Sequence, residues 1–151
     1  MLVAFNGTVP TDTEAGKLAE VHARAFGKDA AWRAAEFNSG VTAPNRILIA
    51  DADLGASVLV LQLGGDEAEI LTLGVVPSAR RNGLAQAMVE HGAELAKRQG
   101  VARMFLEVAV DNTPAISLYE RIGFAAVGRR KRYFRRADGD RVDAIAMALR
   151  L

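Results

Sequence analysis

Apolar and polar positions along the chain change period several times, and each change marks an element. The opening "MLVAF" is a short strand candidate. "TDTE", Thr11 to Glu14, has the spacing of a capping box, in which a threonine and a glutamate three residues on satisfy free amide protons. Leu18, Val21, His22 and Ala25 follow at helical spacing, so a helix over about residues 12–26 is expected. A second, shorter helix is expected to carry Trp32 and Phe37. "RILIA" (46–50) and "ASVLVLQL" (56–63) read as strands, separated by the turn-like "DADLG". "AEILTLGVV" (68–76) is an apolar run consistent with a strand buried on both faces.

Past residue 80 the period returns to that of a helix. Leu84, Met88, His91 and Leu95 make one stripe over 81–99, and Gly100 suits its C-terminal cap. "VARMFLEVAV" (101–110) is a strand. In "DNTPAISLYERIGF", Thr113 can cap, Pro114 fits the first helical position and Gly123 ends the helix. "FAAVGRRKRYF" and "RVDAIAMAL" are strands joined through "ADGD", where Asp138-Gly139 signals a turn. The order is βααβββαβαββ, an α+β chain whose strand 68–76 reaches strand 101–110 through a helix, in parallel. There is no repeat, low-complexity tract or linker, so residues 1–151 read as one domain.

Composition narrows the chemistry. The 151 residues contain no cysteine, which excludes disulfides, thiolate catalysis and cysteine-ligated metals. Two histidines leave little for a histidine-rich zinc site or a Ser-His-Asp triad, and both lie on helical stripes, where a structural role is expected. No apolar run approaches the ~20 residues of a membrane span, and the start lacks a signal-peptide layout, so a soluble cytoplasmic protein is the expectation. The net charge of +1 hides an asymmetry: "RRKRYFRR" (129–136) holds six basic residues, leaving 13 basic against 18 acidic elsewhere. Strand alternation would put Arg129, Lys131, Tyr133 and Arg135 on one face and Arg130, Arg132, Phe134 and Arg136 on the other. Two readings stay open, an edge strand protected by charge and a contact surface for an anionic partner other than nucleic acid.

"VVPSARRNGLAQAM" (75–88) places two arginines and a glycine between a strand and a helix. The first amide protons of a helix lack internal partners and its dipole is positive there, so Arg81 to Ala85 could hold a pyrophosphate. A solvated basic turn is the other reading. The pattern is neither a P-loop nor a dinucleotide fingerprint.

These residues carry a resemblance. Arg80, Gly83 and Ala85 fit the Arg/Gln-x-x-Gly-x-Gly/Ala signature of the acetyl-coenzyme A loop in the GNAT superfamily of N-acetyltransferases. "LEVAVDNTPAISLYERIGF" resembles that family's second block, and "RRKRYF" with "DGDRVDAIAM" resembles the C-terminal hairpin of its RimI-type branch, whose members acetylate the N-terminal alanine of a ribosomal protein. The similarity runs from about residue 69 to 148. The chain departs from that branch at Tyr133-Phe134, at Val142-Asp143-Ala144, and at Ala30-Ala31-Trp32 where Pro-Trp-Ser is usual; these positions bear on the acceptor.

The resemblance implies a GNAT fold, a central mixed twisted sheet of about six or seven strands flanked by about four helices. It implies that backbone groups of Leu73, Gly74 and Val75 bond the pantetheine arm and that Arg80, Arg81, Asn82, Gly83, Leu84, Ala85 and Gln86 surround the pyrophosphate. Asn112 would contact the coenzyme, Glu107 would be the general base, and Tyr119 the general acid. Read without it, Glu107 in an apolar strand is a solvent-facing or salt-bridged residue, and Tyr119 and Trp32 are core. The implied reaction is direct acetyl transfer from acetyl-coenzyme A to a primary amine, with no metal. The implied acceptor is a protein N-terminus, ribosomal by analogy. A small-molecule amine acetyltransferase and a non-catalytic acyl-coenzyme A-binding module are the alternatives. Neither nucleic acid nor membrane is implied as partner, and the chain is expected as a monomer or homodimer.

Overall fold

A computed structural model describes residues 1–6, 8–28, 30–42 and 45–151. Seven strands form one sheet: β1 (Leu2–Asn6), β2 (Arg46–Asp51), β3 (Ser57–Gly64), β4 (Glu67–Val75), β5 (Arg103–Ala109), β6 (Ala125–Arg135) and β7 (Arg141–Arg150). Four helices flank it: α1 (Asp12–Phe26), α2 (Ala34–Thr42), α3 (Leu84–Arg98) and α4 (Thr113–Ile122). The strand order is β1-β2-β3-β4-β5-β7-β6, with β4 and β5 parallel and every other pair antiparallel. No helix among the described residues is long and apolar enough to cross a membrane.

The period-2 alternation of the strands sorts the core into two layers. Ile47, Ile49, Leu59 and Leu61 pack under Met88, Val89 and Ala96 of α3 and Tyr119 of α4. Leu48, Ala50, Val58 and Val60 pack under Ala15, Leu18 and Val21 of α1 and Phe37 of α2. The capping box forms as expected, Glu14 N–H donating to Thr11 Oγ1 and Thr11 N–H to Glu14 Oε1. Gly123 ends α4.

Several expectations are corrected. The strand buried on both faces is β3, not β4, whose residues Glu67 and Glu69 are exposed; that part of β4 opens on a recess rather than on α1 and α2. Trp32 precedes α2, because its N–H donates to His22 Nδ1 at 3.0 Å before the helix begins. Helix α3 starts at Leu84, not 81, and its buried stripe is Met88, Val89, Gly92 and Ala96, which leaves His91 half-buried. Asn112, not Thr113, caps α4: its side-chain oxygen accepts from Ala115 N–H at 3.3 Å.

One irregularity shapes the site. Between β3 and β4 the register shifts, Val60 opposite Thr72 but Leu61 opposite Ile70, so Leu71 is an extra residue. Such a bulge bends its strand. On the other side, β4 and β5 pair only at Glu67, Ala68 and Glu69 with Arg103, Met104 and Phe105. Beyond the bulge the two parallel strands part, and a gap opens in the middle of the sheet.

Candidate active site

The gap is a cleft of about 770 Å³. Its walls are β4 residues 70–73 and β5 residues 106–109, with Asn112 and, on α4, Ala115 and Tyr119 along one flank and His22, Phe26 and Trp32 along the other. A second recess of about 470 Å³, lined by Glu67, Glu69, Phe105 and Arg130, shares Leu106 and Glu107 with the cleft.

The β4 edge of the cleft carries backbone polar groups. Val76 N–H donates to Ala56 across the β3 side. Strand alternation therefore turns Gly74 toward β3, and Leu73 and Val75 toward the gap. Gly74 is required for another reason: a Cβ there would stand 2.8 Å from the Phe26 ring. At the end of β4 a 3₁₀ turn, Pro77–Ala79, leads to Arg80. The Arg80 guanidinium reaches back, Nε to the Val75 carbonyl at 2.9 Å and Nη2 to the Ala25 carbonyl at 3.1 Å, and so braces β4 against the end of α1.

Arg81 and Gly83 then both take left-handed conformations, φ 66° and 75°. This tight turn lifts the start of α3 into the open, and Gly83 caps it without any side-chain bond. The amide protons of Leu84, Ala85 and Gln86 have no partner within the helix. Apart from its own chain neighbours, a Cβ at Gly83 would meet nothing within 4 Å, so the turn is open beside the helix start. Unpaired donors at a positive helix end suit an anion such as a pyrophosphate, and the edge of β4 beyond its pairing with β5 suits an amide-bearing arm. Asn82 lies exposed in the same turn, and Gln86 bonds Glu90 along the helix.

Glu107 and Tyr119 reach the cleft from opposite sides of the sheet. Leu106 and Val108 point into the layer under α3 and α4, so alternation sends Glu107 to the other face. Its Oε1 forms an ion pair with Arg130, 2.9 Å from Nε, and its Oε2 is buried without a hydrogen-bond partner. Tyr119 is buried edge-on to Phe124, ring centroids 5.6 Å apart, and burial pushes its phenol up to about 12. His22 is also buried: Nδ1 accepts from Trp32 N–H, so Nε2 carries the proton that it shares with Thr72 Oγ1 at 2.8 Å. Desolvation lowers its pKa to about 4, against a smaller opposing effect of Glu36, and it remains neutral as a pin joining α1, the Trp32 segment and β4.

The ribbon 129–136 departs from the alternation read from its sequence. Residues 131–133 lie opposite the single residue Asp143, between the pairs Arg130–Ala144 and Phe134–Val142, and Arg132 has φ 52°. Arg130 and Tyr133 therefore share a face, the guanidinium 5.2 Å from the ring centroid. The charge of Glu107 pushes the Tyr133 phenol above its ordinary value. Arg136 pairs with Asp111 across the cleft mouth. The sequence reading named Arg130, Arg136 and Asp143 but missed their pairings, Arg130 with Glu107, Arg129 with Asp143 and Arg136 with Asp111. Asp143 was the available signal, a lone acid facing a basic strand.

The fold thus joins a splayed parallel pair to a crossover helix whose first amides lack partners within the helix. The acetyltransferase (GNAT) family model matches residues 18–124, and the chain belongs to that family. It is 36% identical over 141 residues to the [ribosomal protein bS18]-alanine N-acetyltransferase of Salmonella typhimurium, covering 92% of this chain and 91% of that one. The protein of the same name in Escherichia coli K12 is 40% identical over 94 residues, a stretch that spans 62% of this chain and 63% of the relative. The crystal structure of the ribosomal-protein-S18-alanine N-acetyltransferase from Escherichia coli superposes with a TM-score of 0.81 at 30% identity, covering 99% of this chain and 94% of that one. The mixed sheet of seven strands with four helices bears out the fold expected from the resemblance.

Proposed function

We propose that the chain is an acetyl-coenzyme A-dependent N-acetyltransferase acting in the cytoplasm on the N-terminal α-amine of a protein, a ribosomal protein by analogy with the relatives' names. The observation that carries this is the position of Glu107, a carboxylate shared by the cleft and the recess. A thioester arm in the cleft and an amine arriving through the recess would meet there. In this assignment the free edge groups of Leu73 and the N–H of Val75 hold the pantetheine arm. The amides of Leu84, Ala85 and Gln86, with Arg81, Asn82 and Gly83, hold the pyrophosphate, Arg80 braces the turn, and Asn112 fixes the start of α4 beside the arm.

Acetyl-coenzyme A supplies an acyl carbon with a sulfur leaving group. The amine nitrogen bonds to that carbon as the carbon–sulfur bond breaks, and Glu107 accepts the proton that leaves nitrogen, directly or through a water. Tyr119, kept neutral by burial, holds a proton that it gives to the departing sulfur; solvent restores both groups. An α-amine is easier to deprotonate than a lysine ammonium by ~2.5 pKa units, which suits a carboxylate base. A peptide with a free N-terminal alanine and an internal lysine should therefore carry its acetyl group on the N-terminus by mass spectrometry. Modification mainly of the lysine, or brisk acetylation of a polyamine beside an untouched peptide, would overturn the acceptor assignment.

A further inference from the structure

The two oxygens of Glu107 are not equivalent. Oε1 is bound by Arg130, and Oε2 is buried with no partner, in a side chain only 16% exposed. A bare carboxylate oxygen out of water is costly, and the carboxylate could relieve that cost by rotating unless something holds it. We propose that Arg130 is a positioning residue for the acetyl transfer: its ion pair with Oε1 holds the Glu107 carboxylate in one orientation where the cleft and the recess meet. This rests on Glu107 being the base.

The backbone is built to deliver that guanidinium. Asp143 accepts from Arg129 Nε at 2.7 Å and from Arg132 N–H at 2.9 Å, and so holds the bulge 131–133 in place. The bulge cancels the alternation that would part Arg130 from Tyr133. The Tyr133 ring then backs the guanidinium on one side, 5.2 Å from the guanidinium carbon to the ring centroid. A lysine could supply the charge at this place but not the stacked plane. Arg130 comes from the edge strand with 61% of its side chain exposed, so its substitution leaves the core intact.

Steady-state kinetics on the alanine peptide test this. Arg130→Gln should lower kcat by ~10²-fold, the scale of a misplaced reacting group, with the KM for acetyl-coenzyme A unchanged. Arg130→Lys should recover part of that loss. In the Glu107→Gln background, Arg130→Gln should cost nothing further, because there is no carboxylate left to orient. Wild-type turnover in Arg130→Gln, or a lower KM for the peptide with faster turnover, would overturn the proposal, the second result making Arg130 a competitor of the acceptor amine. Losses that multiply in the double variant would also overturn it. Wild-type turnover in Glu107→Gln alone would instead remove the base assignment, and this inference with it.

Discussion

Two arginine-rich stretches flank the cleft, the turn 80–86 and the ribbon 129–136, and they use the same residue type in different ways. In the turn Arg80 is bound to two carbonyls, so beside Arg81 the groups proposed to hold the pyrophosphate are main-chain amides. In the ribbon the main chain is bent so that side chains converge, Arg130 on Glu107, Arg129 on Asp143 and Arg136 on Asp111. A site made of backbone needs a glycine and a helix start and tolerates its neighbours. A site made of side chains depends on every bend of the strand that carries them. Substitutions on the two sides should therefore fail differently.

The largest effect is expected at the side-chain centre. Glu107→Gln should slow turnover by ~10²–10⁴-fold while coenzyme affinity, measured by calorimetry, stays within about twofold. Near-normal activity from pH 6 to 9 would move the base elsewhere, Glu69 being the next carboxylate at the recess.

Next in size is a response to acid. His22 titrates near 4 when folded and near 6.5 when unfolded, so the unfolded chain binds more protons between these values and stability rises with pH across them. Lowering the pH from 7 to 4 should remove up to about 3 kcal/mol through this group. Urea unfolding at a series of pH values reads it, and His22→Gln should flatten the slope. An unchanged slope would mean that other groups carry the acid sensitivity of the aromatic wall.

On the backbone side, Gly83→Val meets no clash but must adopt φ 75°, which costs ~1–2 kcal/mol for a residue with a Cβ. Coenzyme binding should weaken about tenfold by calorimetry, with kcat at saturation nearly preserved. A fall in kcat at unchanged affinity would erase the distinction between the two sides. The smallest effect is Asn112→Ala, which removes the cap of α4 and should lower stability by ~1 kcal/mol in thermal unfolding.

The elements were legible because their signals are local. The capping box at Thr11 and Glu14, the Gly123 stop and the parallel pairing implied by one crossover helix each depend on a few neighbouring residues. The turn 80–86 was legible for the same reason, since free amides follow from a helix start wherever it occurs. Trp32 was misplaced because its N–H is drawn to His22, ten residues away in sequence. The ribbon was misread because strand alternation holds only while the partner strand keeps register. Asp143, eleven residues beyond Arg132, breaks that register. The partner of Glu107 was hidden for the same reason, not because arginine was an unexpected counter-ion.

The short seam between β4 and β5 has a thermodynamic consequence. Three residue pairs join the leaf β1–β4 to the leaf β5–β7, whereas β5 and β7 share seven. A pantetheine arm laid along the bare β4 edge would bridge the two leaves and supply what the seam lacks. Ligand binding and folding would then draw on one free energy, and a coenzyme at 100 times its Kd would raise the unfolding free energy by about 2.7 kcal/mol. The coenzyme-free form would then be the looser of the two, and coenzyme concentration would set how much of the chain is spared unfolding.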